Sequence, residues 1–127
     1  MPYTLTFEAP RRFVMHQTGA IPASESLAAL REVVGDPRFG PGATLLAIVE
    51  GATSAPAADE LGGLALEVKS LVQRGLAGFV IVTEPGFIYG VARMFASLAD
   101  LAGVHVEVFQ DVTEARQRLD EISARAA

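Results

Sequence analysis

The stretch from Ala77 to Gln110 constrains the fold more than any other part of the chain. Ala77-Gly78-Phe79-Val80-Ile81-Val82 is a short apolar run rich in β-branched residues, of the length a buried strand uses. Thr83-Glu84-Pro85-Gly86 interrupts it, and a segment with helical spacing follows. That segment places Ile88, Val91, Ala92, Phe95, Leu98, Ala99 and Ala102 on one broad stripe. Gly103 closes the helix, and Val104-His105-Val106-Glu107-Val108-Phe109 alternates as a second strand. Two strands joined through a helix form a βαβ unit. A crossover of about twenty residues cannot make a hairpin, so the strands are parallel and the connection right-handed.

The remaining elements follow the same rules. Tyr3-Thr4-Leu5-Thr6-Phe7-Glu8 alternates strictly, Ala9-Pro10 turns the chain, and Arg11 to Thr18 forms a second strand. So short a connection predicts an antiparallel hairpin. Ser24 offers an N-cap to a helix running to about Val34, with Leu27, Leu30 and Val34 inward and Gly35 and Pro37 ending it. Asp36 to Gly42 reads as a surface loop. Ala43 to Val49 is apolar on both faces, which predicts a central strand covered on each side. Pro56 suits the first turn of a helix reaching about Arg74, with Leu61, Leu64, Ala65, Val68, Leu71 and Val72 at helical spacing. Gly62-Gly63 within it costs on the order of 1 kcal/mol per residue, which implies a later start or a backbone packed closely there. Asp111 and Glu114 form a capping box for a last helix that buries Ala115, Leu119 and Ile122.

The expected order is therefore ββαβαβαβα. The fold class is α/β: a mixed five-stranded sheet with an N-terminal antiparallel hairpin, a parallel βαβαβ remainder and about four helices. All 127 residues are expected in one domain.

Composition narrows the function classes. The net charge of −5 argues against nucleic acid, which needs a basic face. The absence of cysteine removes disulfides, thiolate metal sites and cysteine nucleophiles. No basic-then-apolar leader is present, and no apolar run approaches the ~18 residues of a span. The expectation is a cytoplasmic chain with no stable membrane insertion.

The run Tyr89-Gly90-Val91-Ala92-Arg93-Met94-Phe95 after a strand, then Val106-Glu107-Val108-Phe109-Gln110-Asp111 and Glu114-Ala115, resembles the SpoIIAA-like group of small STAS/SEC14-type domains. Asp36-Pro37-Arg38-Phe39 and the hairpin start resemble it too, so the likeness spans nearly the whole chain. The resemblance implies a bacterial regulatory domain of five strands and four helices, often without an assigned activity. Its better-known cousins are anti-sigma factor antagonists. In those, a serine at a helix start within Asp-Ser-Ser/Ala-Gly is phosphorylated to break a partner contact. Glu50-Gly51-Ala52-Thr53-Ser54 stands in the nearest comparable place and lacks that motif, so no such switch is expected at Thr53 or Ser54, the phosphorylation candidates there. The tryptophan usual near the end of the group is replaced by Arg118-Leu119.

Catalytic signals are sparse. His16 and His105 lie in strands without a second ligand at metal-binding spacing, so neither metal nor cofactor is expected. No Gly-x-Ser-x-Gly elbow surrounds Ser54, and Gly40-Pro41-Gly42 precedes a strand where a phosphate-binding loop would follow one. Asp59-Glu60, Asp111-Glu114 and Asp120-Glu121 lie in helix first turns or on polar faces. The loop Glu84-Pro85-Gly86-Phe87 is different, because it leaves a parallel strand and opens a helix, where α/β sheets place ligands. Phe87 and Tyr89 add aromatic surface, and Arg93 follows Tyr89 one turn on.

Glu84, Phe87, Tyr89 and Arg93 are therefore the candidate ligand- or partner-binding residues, with a Tyr–Arg surface stack and Phe87 tucked into the core as the bland alternative. The chain reads as a non-enzymatic binding module for a protein partner or a homodimer. The alternatives are a small enzyme, or a protein that takes a small apolar ligand at the 84–93 loop. An exposed apolar patch at Phe87 favours the module. A histidine within reach of a carboxylate in a cleft favours the enzyme.

Overall fold

The computed structural model describes residues 3–126. The elements are β1 (Tyr3–Glu8), β2 (Arg12–Gly19), α1 (Ala23–Gly35), β3 (Thr44–Ala52), α2 (Ala58–Gln73), β4 (Gly78–Thr83), α3 (Phe87–Leu101), β5 (Glu107–Phe109) and α4 (Val112–Ala126). The five strands lie in sequence order, β1-β2-β3-β4-β5. β1 pairs with β2 antiparallel, Leu5 opposite Met15. The other pairings are parallel, with Leu46 opposite both Val14 and Val80.

Sequential parallel strands joined by right-handed crossovers must carry every crossover helix on the same face. The core shows this. Phe13, Met15, Leu45, Ala47, Val49, Phe79 and Ile81 point to one side and pack with buried residues of α1, α2 and α3. Their neighbours Val14, Leu46, Ile48, Val80 and Val82 point to the other side and meet Ala115 and Leu119 of α4. β3 is thus covered on both faces, as its unbroken apolar run requires.

Polar ties hold the edges. The Tyr3 hydroxyl donates to Glu32 at 2.5 Å, and this bond pushes its pKa up to about 12. Arg116 of α4 donates to Glu8 of β1 through both terminal nitrogens, and Arg12 of β2 reaches Asp120. Gly75, at φ 116, makes the turn into β4 where a Cβ would stand 2.7 Å from the Pro41 backbone. No other residue fits there.

The structure corrects the expected local detail in four places. α1 begins after Pro22 and no side chain caps it, so Ser24 lies inside the helix rather than ahead of it. α2 begins after Ala57, leaving Pro56 outside, and the Glu60 carboxylate accepts from the Ala57 N–H instead. Gly62 and Gly63 lie within α2 with open space around them, so neither a late start nor a close backbone accounts for them. The last strand pairs only over Glu107–Phe109, although Val104 and Val106 are buried as alternation requires. An edge segment can bury its apolar side chains while its backbone remains in water.

Candidate functional site

β3 and β4 end side by side, and the loop leaving β4 turns directly into α3. Gly86 makes that turn at φ 121 and ψ −154, a conformation nearly confined to glycine. The turn fixes where α3 starts and which of its faces meets the sheet. Ala92, Phe95 and Ala99 become buried, and Ile88, Val91 and Leu98 pack against the same core.

The four residues singled out in the loop and helix separate into three environments. Glu84 accepts a hydrogen bond from the Gly51 N–H at 2.7 Å, tying this loop to the end of β3. Its carboxylate therefore braces two adjacent loops. Tyr89 and Arg93 meet each other: Arg93 Nη1 donates to the Tyr89 hydroxyl at 3.1 Å, and the guanidinium carbon lies 5.7 Å from the ring centroid. Phe87 is not drawn into the core and stands 58% exposed.

Phe87 has company on the same helix, outside the inward stripe. Met94 and Leu101 are 48% and 84% exposed on the same helix. The three recur every seven residues, two turns apart, so they share one side of α3. That spacing was available in the chain. The inward stripe alone accounts for a helix there, so the outer spacing adds nothing to that assignment.

Thr53 and Ser54 are exposed in the loop after β3, and the Thr53 N–H donates to the Gly19 carbonyl. α2 does not begin until Ala58, so Ser54 stands clear of the helix start.

Beneath the start of α3 lies an apolar cavity of about 100 Å³. Ile88, Val91 and Ala92 line it from above, with Val49, Ile81 and Thr83 below. Two polar features enter its wall. Gln17 donates to the Ser26 hydroxyl at 3.2 Å, and the buried Thr83 hydroxyl has no hydrogen-bond partner among the described residues.

Histidines and carboxylates do meet, but on the surface. His16 lies 2.7 Å from Glu50, and both side chains are well exposed. Glu107 lies 3.1 Å from His105 but also accepts from Arg118 at 2.7 Å. Glu107 is thus shared between His105 and Arg118 in a surface ion-pair cluster. Among the described residues, no group of three or more His, Asp or Glu side chains could hold a metal ion, and no helix is long and apolar enough to cross a membrane.

No protein-family model matches the chain, and no curated protein matches it. A solved structure does: an uncharacterised protein of the DUF3478 family with a SpoIIAA-like fold, from Shewanella loihica PV-4. It aligns with a TM-score of 0.55 at 10% sequence identity, over 92% of this chain and 91% of that one. At that identity the likeness concerns the backbone. The sheet order, the antiparallel first pair and the four helices described above are those of a SpoIIAA-like fold.

Proposed function

We propose that this SpoIIAA-like domain is a non-enzymatic binding module that acts by contact with another protein chain through the outward face of α3. One observation carries this reading: Phe87, Met94 and Leu101 stay exposed on a helix that has already buried its opposite side. Single exposed apolar residues are ordinary, but three aligned on one helical line form a surface that water solvates poorly. Tyr89 and Arg93 border it. Both residue types are over-represented where interfaces concentrate their energy.

A photo-crosslinking residue at position 94, used in living cells, tests the reading. The same residue at position 66 serves as control, since Leu66 is 61% exposed on α2. We expect a protein adduct at 94 and not at 66, and its loss when Tyr89→Ala and Arg93→Ala are combined in a chain that still melts normally. Equal adducts at both positions, or an adduct indifferent to the double change, would refute the contact face.

The cavity favours a second reading, a small apolar ligand. Its lining is almost wholly apolar, so an apolar occupant would gain contacts there that water does not make. It has room for about four or five non-hydrogen atoms, with the Thr83 hydroxyl free to pair with one polar atom. Titration with small aliphatic alcohols, followed by methyl NMR, should shift Ile81 and Ile88 in the parent and not in Ala92→Leu. Shifts spread evenly over the core would speak against it.

A further inference from the structure

The outward face of α3 carries a pattern that packing within one chain does not explain. Gly90 and Ser97 lie between Phe87, Met94 and Leu101 on the same line, and all five are exposed. Gly90 is the informative member. Its φ is not positive, and a Cβ built there meets nothing within 4 Å. Neither a turn nor a neighbour in the same chain asks for glycine, which is among the least favourable residues within a helix. Gly62 and Gly63 of α2 stand in equally open space, so the glycine counts here only because it lies on one line with the exposed Phe87, Met94 and Leu101, where a second helix could approach closely. Arg93 and Asp100 run beside the line, again seven residues apart. Two turns of separation is too far for them to pair within one helix.

We infer that α3 docks against α3 of a second copy of this chain, antiparallel about a two-fold axis near Ala96. This rests on the contact face proposed above and names its occupant. In that register Met94 faces Ser97 of the partner subunit, and Leu101 faces Gly90 of the partner subunit. Arg93 then faces Asp100 of the partner subunit, and the two-fold repeats each contact with the roles exchanged. The layers of Met94 on Ser97 and Leu101 on Gly90 each set a large side chain against a small one. The flank that carries Arg93 sets a cation against a carboxylate twice over, with Phe87 at the rim of the contact. A parallel pairing would stack Met94 on Met94 and Gly90 on Gly90, alternating crowded and empty layers, with no carboxylate opposite Arg93. The complementary sizes and charges lie on the same helix, so a second copy supplies the match without any other partner. One helix from each chain makes an interface at the small end of specific contacts, and a net charge of −5 on each copy opposes it. The dimer is therefore weak and concentration-dependent.

Sedimentation equilibrium over a concentration series tests this with the parent chain, R93D, D100R and the double variant R93D/D100R. The parent should show a reversible monomer–dimer equilibrium. Each single reversal should weaken association by about tenfold or more, and the double should recover to within about threefold of the parent. The chain has no cysteine, so M94C and S97C can be mixed under mild oxidation, where the antiparallel register predicts the mixed disulfide over either self-linked form. A parent monomeric up to about 1 mM, reversals without effect, a double that fails to recover, or self-linked M94C as the main product would each overturn the inference. Thermal melts of all variants separate lost association from lost folding. If the parent is monomeric while the position-94 adduct still forms, the contact face stands and the second copy falls; if neither appears, both fall.

Discussion

At the scale of single residues, a buried charge decides more than any exposed one. Glu25 lies in the first turn of α1, where the helix N-terminus favours a carboxylate, yet it is 6% exposed and neither oxygen has a hydrogen-bond partner among the described residues. Burial raises its pKa above the ordinary 4.5. The folded state therefore holds this proton more tightly than the unfolded chain does. The stability associated with the neutral acid is complete below about pH 4.5 and is lost as the pH rises through the folded value. Glu25→Gln should consequently raise the unfolding free energy measured in urea at pH 7 by on the order of 1 kcal/mol, with the gain vanishing near pH 4. A gain that persists at low pH would show that shape, not charge, limits this site. Asp36 behaves oppositely, because Arg38 holds its carboxyl down at about 2, so its contribution is present above the ordinary 3.8 and fades only in strong acid.

At the scale of elements, α3 shows two faces with different histories. Its inner stripe was legible from spacing alone, because burial against a sheet demands apolar residues every three or four positions. Its outer line stands in the chain at a spacing of seven, but exposure imposes no periodic requirement that would single it out. Gly90 makes the difference measurable. Gly90→Ala should stabilise the isolated fold by about 0.5–1 kcal/mol, since alanine loses less backbone entropy and meets no neighbour at that position. The same change should weaken self-association in sedimentation, because a methyl group then stands where Leu101 of the partner subunit would pack. A stabilised chain that associates unchanged would leave the glycine without a role in contact. Gly62 and Gly63 in α2 teach a related lesson: the cost of glycine in a helix was sound, but nothing nearby compensates for it.

At the scale of the whole molecule, the sheet is a wall between two cores. Three helices share the larger core, whereas α4 alone closes the smaller one over Val14, Leu46, Ile48, Val80 and Val82. Leu119 is fully buried there, and its neighbour Ile48 is 8% exposed. Ile48→Ala and Leu119→Ala should each cost about 2–5 kcal/mol in denaturant melts, with all spectroscopic probes moving together. A loss below about 1 kcal/mol for Ile48, or an early separate transition for α4, would mean that the second core does not fold with the first.

The sequence by itself determined the element order, the antiparallel opening pair, the parallel remainder and the double burial of the central strand. These follow from short-range chemistry: a period of two or 3.6, a glycine or proline at a boundary, and a crossover too long for a hairpin. Tertiary structure alone decided what Glu84 and Phe87 do, whereas the Tyr89–Arg93 stack was already written in the spacing of one helical turn. Glu84, Phe87, Tyr89 and Arg93 lie within ten positions of one another, yet one braces a loop, two stack together and one stands in water. Their spacing made them neighbours in the chain. The role of Glu84 came from Gly51 at the end of a strand more than thirty residues away, and that of Phe87 from the direction in which Gly86 launches the helix. Such contacts depend on three-dimensional approach, which no local pattern encodes.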